Sequence, residues 1–307
     1  MKNLLDSDDE RLIARVLVRG LLNIAREDIN SAESQVRKNR LEGDPDDPDS
    51  IRKLRLAFRR IEYQLETMGD VDESLAVAPL ARQLHEIARP LGRLRDVEIL
   101  ESRVVKSLGP RAATPEGRRL LEVVADGRHD EQRATDAVLD SSDYRATLEA
   151  LNASRLLLPS DAVTPTMARP VVQKVIRESW RRLRHVVKRA KVDSSDDDLH
   201  LVRRTVKRTV YSTRAFSYVL GPSSEEFTDR LATLQKILGR QHDHVIIAAW
   251  MGEQGDEHAS LTQLTEQLGA EERRRADKYT NDWVRYWRAV RDLHPRETVL
   301  TTYSFFD

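Results

Sequence analysis

The chain has 307 residues, and its 51 lysines and arginines are balanced by 51 aspartates and glutamates, so the net charge of zero names no partner. Hydrophobic residues make up 39% and charged residues 33%, with 12 glycines and 5% aromatics, a balance that suits long amphipathic helices better than sheets. No apolar run approaches the roughly 20 residues needed to cross a bilayer, and with no cysteine the chain has no disulfide, thiolate metal site or cysteine nucleophile.

The start, MKNLLDSDDE, is acidic and lacks a signal-peptide pattern, so a cytoplasmic location is expected. Helical spacing then dominates. A first helix runs from Asp8 to about Arg40, with Leu12, Ile13, Val16, Leu17, Leu21 and Ile24 as its apolar stripe. GDPDDPD (Gly43–Asp49) reads as a turn, and a second helix covers about Asp49 to Met68. A third spans roughly Ser74 to Leu108, with a bend expected at Pro90 because an interior proline removes a backbone hydrogen bond. A fourth begins near Pro115. LPSDAVTPTMARP (Leu158–Pro170) reads as a linker by its prolines and small polar residues. After it come helices at about Val171–Lys191, Leu199–Leu220, Glu225–Gly252 and Glu257–Leu293, with an acidic loop at Val192–Asp198 and a GPSS turn after Leu220. The tail from His294 is expected to pack back on the helices. The fold class is therefore all-α, with a first half at 1–157, a linker at 158–170, a second half at 171–293 and a tail at 294–307.

The succession repeats in residues as well as in order. IRKLRLAFRRIEY (Ile51–Tyr63) aligns with LHLVRRTVKRTVY (Leu199–Tyr211) at a constant offset of 148, pairing Arg55 with Arg203, Arg59 with Lys207, Arg60 with Arg208 and Tyr63 with Tyr211. PLGRLRDVEIL (Pro90–Leu100) aligns with ILGRQHDHVII (Ile237–Ile247) at an offset of 147, pairing Gly92, Arg93 and Asp96 with Gly239, Arg240 and Asp243. Two blocks that keep one offset to within a residue indicate a duplicated half of about four helices.

Placed on a helix at about 100° per residue, Leu199–Phe216 carries His200, Arg203, Arg204, Lys207, Arg208, Tyr211 and Arg214 on one side. Leu199, Val202, Val206, Val210 and Phe216 lie on the other side or its edges. The first copy sets Arg52, Arg55, Arg59 and Arg60 against Leu54, Phe58 and Ile61. A merely solvated face normally mixes both signs, and these ladders are read as free of the balancing acids. A guanidinium grips two phosphate oxygens through its planar fork. A ladder rising about 5.4 Å per turn tracks a line of negative charge better than one small anion. Aromatics are sparse on these faces, which makes nucleic acid an unlikely ligand and points to a phosphate chain without bases. A further stripe, Lys174, Arg177, Arg181, Arg184 and Lys188, either flanks that surface or is a solvated face beside Glu178.

Ile51–Tyr63, Leu84–Leu100, Leu199–Tyr211 and Leu231–Ala248, in this order and duplicated, resemble the motifs of the CHAD family, histidine-containing α-helical domains that bind inorganic polyphosphate. The resemblance implies two four-helix bundles related by a pseudo-twofold, with basic residues of both halves lining a shared groove or pore. By position it carries over Arg55, Arg59 and Arg60 from the first half, His200, Arg203, Lys207 and Arg208 from the second, and Arg93, Arg240 and Arg95 from the G-R and R-D elements. Arg52 stands where the family's first histidine is expected, and His242 replaces the arginine that Arg95 supplies in the first half. Asp96 and Asp243 are read as orienting neighbouring arginines. Gly92 and Gly239, inside predicted helices, are read as marking close helix approach or a helix break.

Other signals fall away. His242–Asp243–His244 suggests a metal-dependent phosphohydrolase but lacks further ligands at matched spacing. His85–Glu86 starts like H-E-x-x-H, but Arg89 stands where the second histidine belongs. No phosphate-cradling G-x-x-x-x-G-K-[ST] loop, G-x-S-x-G elbow or E-x-E-x-K strand pattern of a tunnel-fold triphosphatase is present. The expectation is a stand-alone, non-catalytic protein without metal or cofactor. It would bind inorganic polyphosphate and be recruited to polyphosphate granules. The rival readings are the phosphohydrolase and a helical scaffold for nucleic acid or protein.

Overall fold

A computed structural model describes residues 4–5, 7–42, 48–153, 163–190 and 195–293. Among them are ten α-helices and no strand: α1 (Asp8–Glu42), α2 (Pro48–Val71), α3 (Ala78–Leu108), α4 (Pro115–Leu139), α5 (Ser142–Ala153), α6 (Pro165–Arg189), α7 (Asp196–Ala215), α8 (Ser217–Leu220), α9 (Ser223–Glu257) and α10 (Thr262–Arg291). The tail from His294 and residues 158–162 of the expected linker lie outside the described residues, and residues 165–170 of that linker are instead the start of α6, which Thr164 caps.

Local chemistry sets the boundaries. Thr114, Thr164 and Ser195 cap α4, α6 and α7, each hydroxyl accepting from the backbone N–H three residues on. Ser195 places Asp196, Asp197 and Asp198 in the first turn of α7, where carboxylates favour the positive end of the helix dipole. Asp196–Asp198, expected in a loop before this helix, therefore begin it. The third helix starts later than its periodicity suggests. Asp72 caps a short 3-10 turn at Glu73–Leu75, and Ala76, with φ of 52°, turns the chain before α3. α3 then runs without interruption through Pro90, and α6 likewise contains Pro170. The helix expected over Leu199–Leu220 is divided at Phe216, whose φ of −106° and ψ of 16° end α7 before the short α8. Gly221, at φ of 78°, reverses the chain into α9, in a region where L side chains are strained.

Packing follows the apolar stripes. α1 lies on α2, α2 on α3 and α3 on α4; α6 lies on α7, α7 on α9 and α9 on α10; α2 meets both α6 and α7. One core joins Leu54, Phe58, Ile61 and Leu65 of α2 to Val202, Val206 and Val210 of α7 and Leu231, Leu234 and Leu238 of α9. The buried side of α7 also carries Thr205, Thr209, Ser212 and Thr213. Their hydroxyls donate back to carbonyls four residues earlier, so none enters the core with its hydrogen bond unmade. A smaller core holds the far end of α3 (Leu100, Val104, Leu108) against α4, α9 and α10. Beside it the buried Glu272 of α10 accepts from Ser107 at 2.8 Å and contacts His244 Nδ1 at 2.5 Å, tying three helices together.

These contacts set α2 and α3 across from α7 and α9. Phe58, fully buried on α2 and edge-on to Tyr144 of α5 at 6.1 Å, is one anchor of that arrangement. Phe58→Ala should lower the stability of the ligand-free protein by about 3–5 kcal/mol. Urea denaturation measures this, and a loss under about 1 kcal/mol would show that α2 is seated by other contacts.

Candidate functional site

Between α2 and α3 on one side and α7 and α9 on the other lies a groove of about 650 Å³. Arg55 and Arg59 reach it from α2, His200, Arg203, Arg204 and Lys207 from α7, and Arg240 from α9. The two basic rows therefore face one space. Lys236, one turn before Arg240, lines it as well, as do His85, Asp96, His242 and Asp243. Seven arginines and lysines meet two aspartates here.

The rows differ in how their charge is balanced. Arg59 of α2 donates to both oxygens of the buried Glu62, at 3.1 and 3.0 Å. His85 Nδ1 lies 2.8 Å from the same carboxylate and 3.2 Å from Arg59. Arg55 stands 3.8 Å from Asp96. The first ladder is thus not free of acids, contrary to the reading of its face: Glu62, within the motif itself, turns inward and pins Arg59. By contrast Arg203, Arg204, Lys207, Lys236 and Arg240 have no carboxylate oxygen within 4.0 Å among the described residues. The uncompensated charge of the groove comes from α7 and α9.

The remaining basic candidates stand apart from the groove. Arg52 pairs with Asp49, Arg60 with Asp28, Arg93 with Glu131, Arg95 with Glu98, Lys174 with Glu10 and Arg181 with Glu178. Arg177 is exposed on α6. Arg208 is largely buried, donates to Thr67 at 2.8 Å and pairs with Asp70 at 2.7 Å, so it joins α7 to α2. It lines a second, mixed-charge cavity of about 1100 Å³ that shares Tyr63, His85 and Arg204 with the groove.

The electrostatics are those of cations held together. Lys207 Nζ lies over the rings of both Tyr63 and Tyr211, at 5.7 and 5.8 Å from their centroids. Burial, followed by the charges of Arg55, Arg203 and Arg59, lowers its pKa to about 7. Burial and Arg203 push His242 down to about 4, and burial with Arg203 and Arg204 lowers His200. The two imidazoles face each other with Nδ1 atoms 3.3 Å apart, so one donates while the other accepts.

His242, Asp243 and His244 do not converge. Successive residues on a helix point about 100° apart: His242 faces His200, Asp243 lies 3.7 Å from Arg103, and His244 is buried against Glu272 and Tyr279. Among the described residues no group of three or more histidines or carboxylates is placed to hold a metal ion. The glycine reading changes too. α3 and α9 continue unbroken through Gly92 and Gly239; a Cβ at Gly92 would meet only Arg55 Nε, at 3.8 Å, and one at Gly239 would enter open space.

Sequence reasoning missed Lys236 and the groove-lining role of His85. The i, i+4 spacing of Lys236 and Arg240 was the one available signal. His85 enters only because α3 packs on α2.

An uncompensated cluster costs folding energy. Because the Lys207 amine titrates near 7 when folded and near its ordinary 10.5 when unfolded, the unfolded chain binds more protons between those values, and stability rises with pH across that window. Below pH 7 the penalty is present in full. Lys207→Met should therefore be more stable than the parent at pH 6, with the gap closing towards pH 9–10. Denaturant titrations of both proteins at several pH values measure this, and a pH-independent gap would contradict it.

Residues 22–252 match the CHAD domain family. Two curated relatives, the uncharacterized proteins MT2285 and Rv2226 of Mycobacterium tuberculosis, are each 27% identical over 212 residues, 64% of this chain. The match covers 39% of each relative, so the chain spans about two fifths of their length. Two solved structures share the fold. The CHAD domain from the plant Ricinus communis aligns with a TM-score of 0.70 at 19% identity, covering 91% of both chains. PptA from Streptomyces chartreusis aligns at 0.69 and 17% identity, covering 89% of this chain and 98% of that one. No helix among the described residues is long and apolar enough to cross a membrane. With three quarters of its length matched by the family and its helices superimposing on a CHAD domain, the chain belongs to the CHAD domain family.

Proposed function

We propose that the groove binds inorganic polyphosphate, that binding is non-catalytic, and that it recruits the protein to polyphosphate granules. One observation carries this reading: Arg203, Arg204, Lys207, Lys236 and Arg240 share one groove without a carboxylate partner among the described residues. Like charges on adjacent turns repel by a few tenths of a kcal/mol per pair. A polyanion lying between them removes that repulsion and accepts charge-assisted hydrogen bonds.

The aromatic geometry favours a chain without bases. Tyr63 and Tyr211 face each other at 5.8 Å with Lys207 over both rings, so neither ring is open for a base to stack upon. Their meeting also supports an internal duplication, with halves at 1–157 and 171–293. Residues at matched repeat positions come together where a pseudo-twofold axis passes. Arg55, Arg59 and His200 complete the proposed site. Arg52, Arg60, Arg93, Arg95, Lys174, Arg177, Arg181 and Arg208, outside the groove, have supporting or surface roles in this proposal.

Arg203→Glu/Lys207→Glu should weaken polyphosphate binding by at least about 100-fold, two charge reversals at roughly 1.5–3 kcal/mol each, with unchanged circular dichroism. Arg60→Glu, at a position already paired with Asp28, should stay within about threefold of the parent. Equal losses in both variants would mean that the groove is not the site. In a salt series, five phosphate contacts predict a log–log slope of roughly 3–4, by analogy with single-stranded nucleic acid. A flat response would exclude an electrostatic site.

A further inference from the structure

We propose that polyphosphate binding is coupled to uptake of a proton by Lys207, which makes the groove's affinity fall as pH rises above neutrality. The inference rests on the polyphosphate reading and concerns how that same site is regulated.

The geometry isolates this amine. It shares the groove with Arg55 and Arg59 of α2 and Arg203 of its own helix, whose charges act on it, and it lies over the rings of Tyr63 and Tyr211. Two carboxylates border this cluster without pairing with the amine: Asp96 of α3 lies 3.8 Å from Arg55 and only partly offsets the cations acting on Lys207, and Asp243 of α9 lies 3.7 Å from Arg103. The other titratable groups on the walls are imidazoles, His85 on α3, His200 on α7 and His242 on α9, and the remaining cations are Arg204 of α7 and Lys236 and Arg240 of α9. Burial and three cations thus outweigh the one carboxylate that acts on the amine, which is held with its charge opposed. Arginine cannot relieve such crowding by losing a proton, whereas lysine can. In the empty groove Lys207 is the cation that yields, in keeping with its pKa of about 7. A phosphate chain reverses the local potential, restores the amine's proton and turns it into a donor. A free amine and one proton from solvent become a bound ammonium, and no covalent step is involved.

The test is isothermal titration of the full chain with linear polyphosphate at pH 8.5 and fixed ionic strength, in two buffers of different ionisation enthalpy. Lys207→Arg serves as the fixed-charge comparison, and proton exchange by the phosphate chain itself is common to both proteins. The parent should take up about one proton more per site than Lys207→Arg. Its affinity should fall about tenfold more between pH 8 and 9 than that of the variant, the change expected for one linked proton. As a second reading independent of the variant's folding, the lysine Cε NMR signal that titrates near neutrality in the free parent should move its midpoint above pH 9 with polyphosphate present. Binding with equal proton uptake by both proteins, or a Cε midpoint that polyphosphate does not move, would overturn the coupling and leave the polyphosphate reading intact. Absence of binding by the parent at every pH and salt would overturn both.

Discussion

Charge left without a counter-charge is the constraint on which this structure turns. Many arginines outside the groove have a carboxylate within reach: Arg40 with Asp136 and Asp140, Arg93 with Glu131, Arg208 with Asp70. A chain with equal numbers of acids and bases can satisfy its cations in this way. In one groove it does not. Arg203, Lys207 and Arg240 sit where α7 and α9 turn towards α2 and α3, and the acids of α7 are gathered at its first turn, where Asp196 serves Gln241 and Arg273. The same residues that stabilise the helix start are thereby kept away from the ladder.

The scaffold bears the cost of that arrangement through its cores and its buried polar links. α2 is held by Phe58, Ile61 and Leu65, and α7 by Val202, Val206 and Val210, so the faces that carry the ladders are opposite well-packed stripes. One buried carboxylate, that of Glu272, joins α3, α9 and α10 through Ser107 and His244. His244 Nε2 lies 3.3 Å from Arg103, which in turn lies 3.7 Å from Asp243 on the groove wall. Asp243 thus stands between Arg103 and the charge of Arg203, with its only ion pair within 4.0 Å among the described residues made to Arg103.

Much of this was legible in the sequence, for a definable reason. Helical periodicity and the constant offset between the two motif blocks are local or pairwise properties, and they located most helices and the basic faces. The break at Phe216 and the turn at Ala76 were missed because tertiary packing, rather than apolar spacing, decides them. The site was legible in part. Spacing placed Arg55, Arg59, Arg203 and Lys207 on faces that do meet, but spacing carries no information about which cations are already paired. Arg60 and Arg208 share the motif, yet one finds Asp28 on α1 and the other Asp70 on α2. Those partners come from packing across helices, which also brought His85 and Lys236 to the groove.

In the proposed function, the uncompensated cations of α7 and α9 receive a linear phosphate chain. A crystal structure of the protein soaked or grown with linear polyphosphate tests it most directly. A continuous run of phosphate density should lie against Arg203, Lys207, Lys236 and Arg240, with Arg55 closing over it from α2. Density confined to the Lys174–Arg177–Arg181 face of α6, with the groove empty, would contradict it.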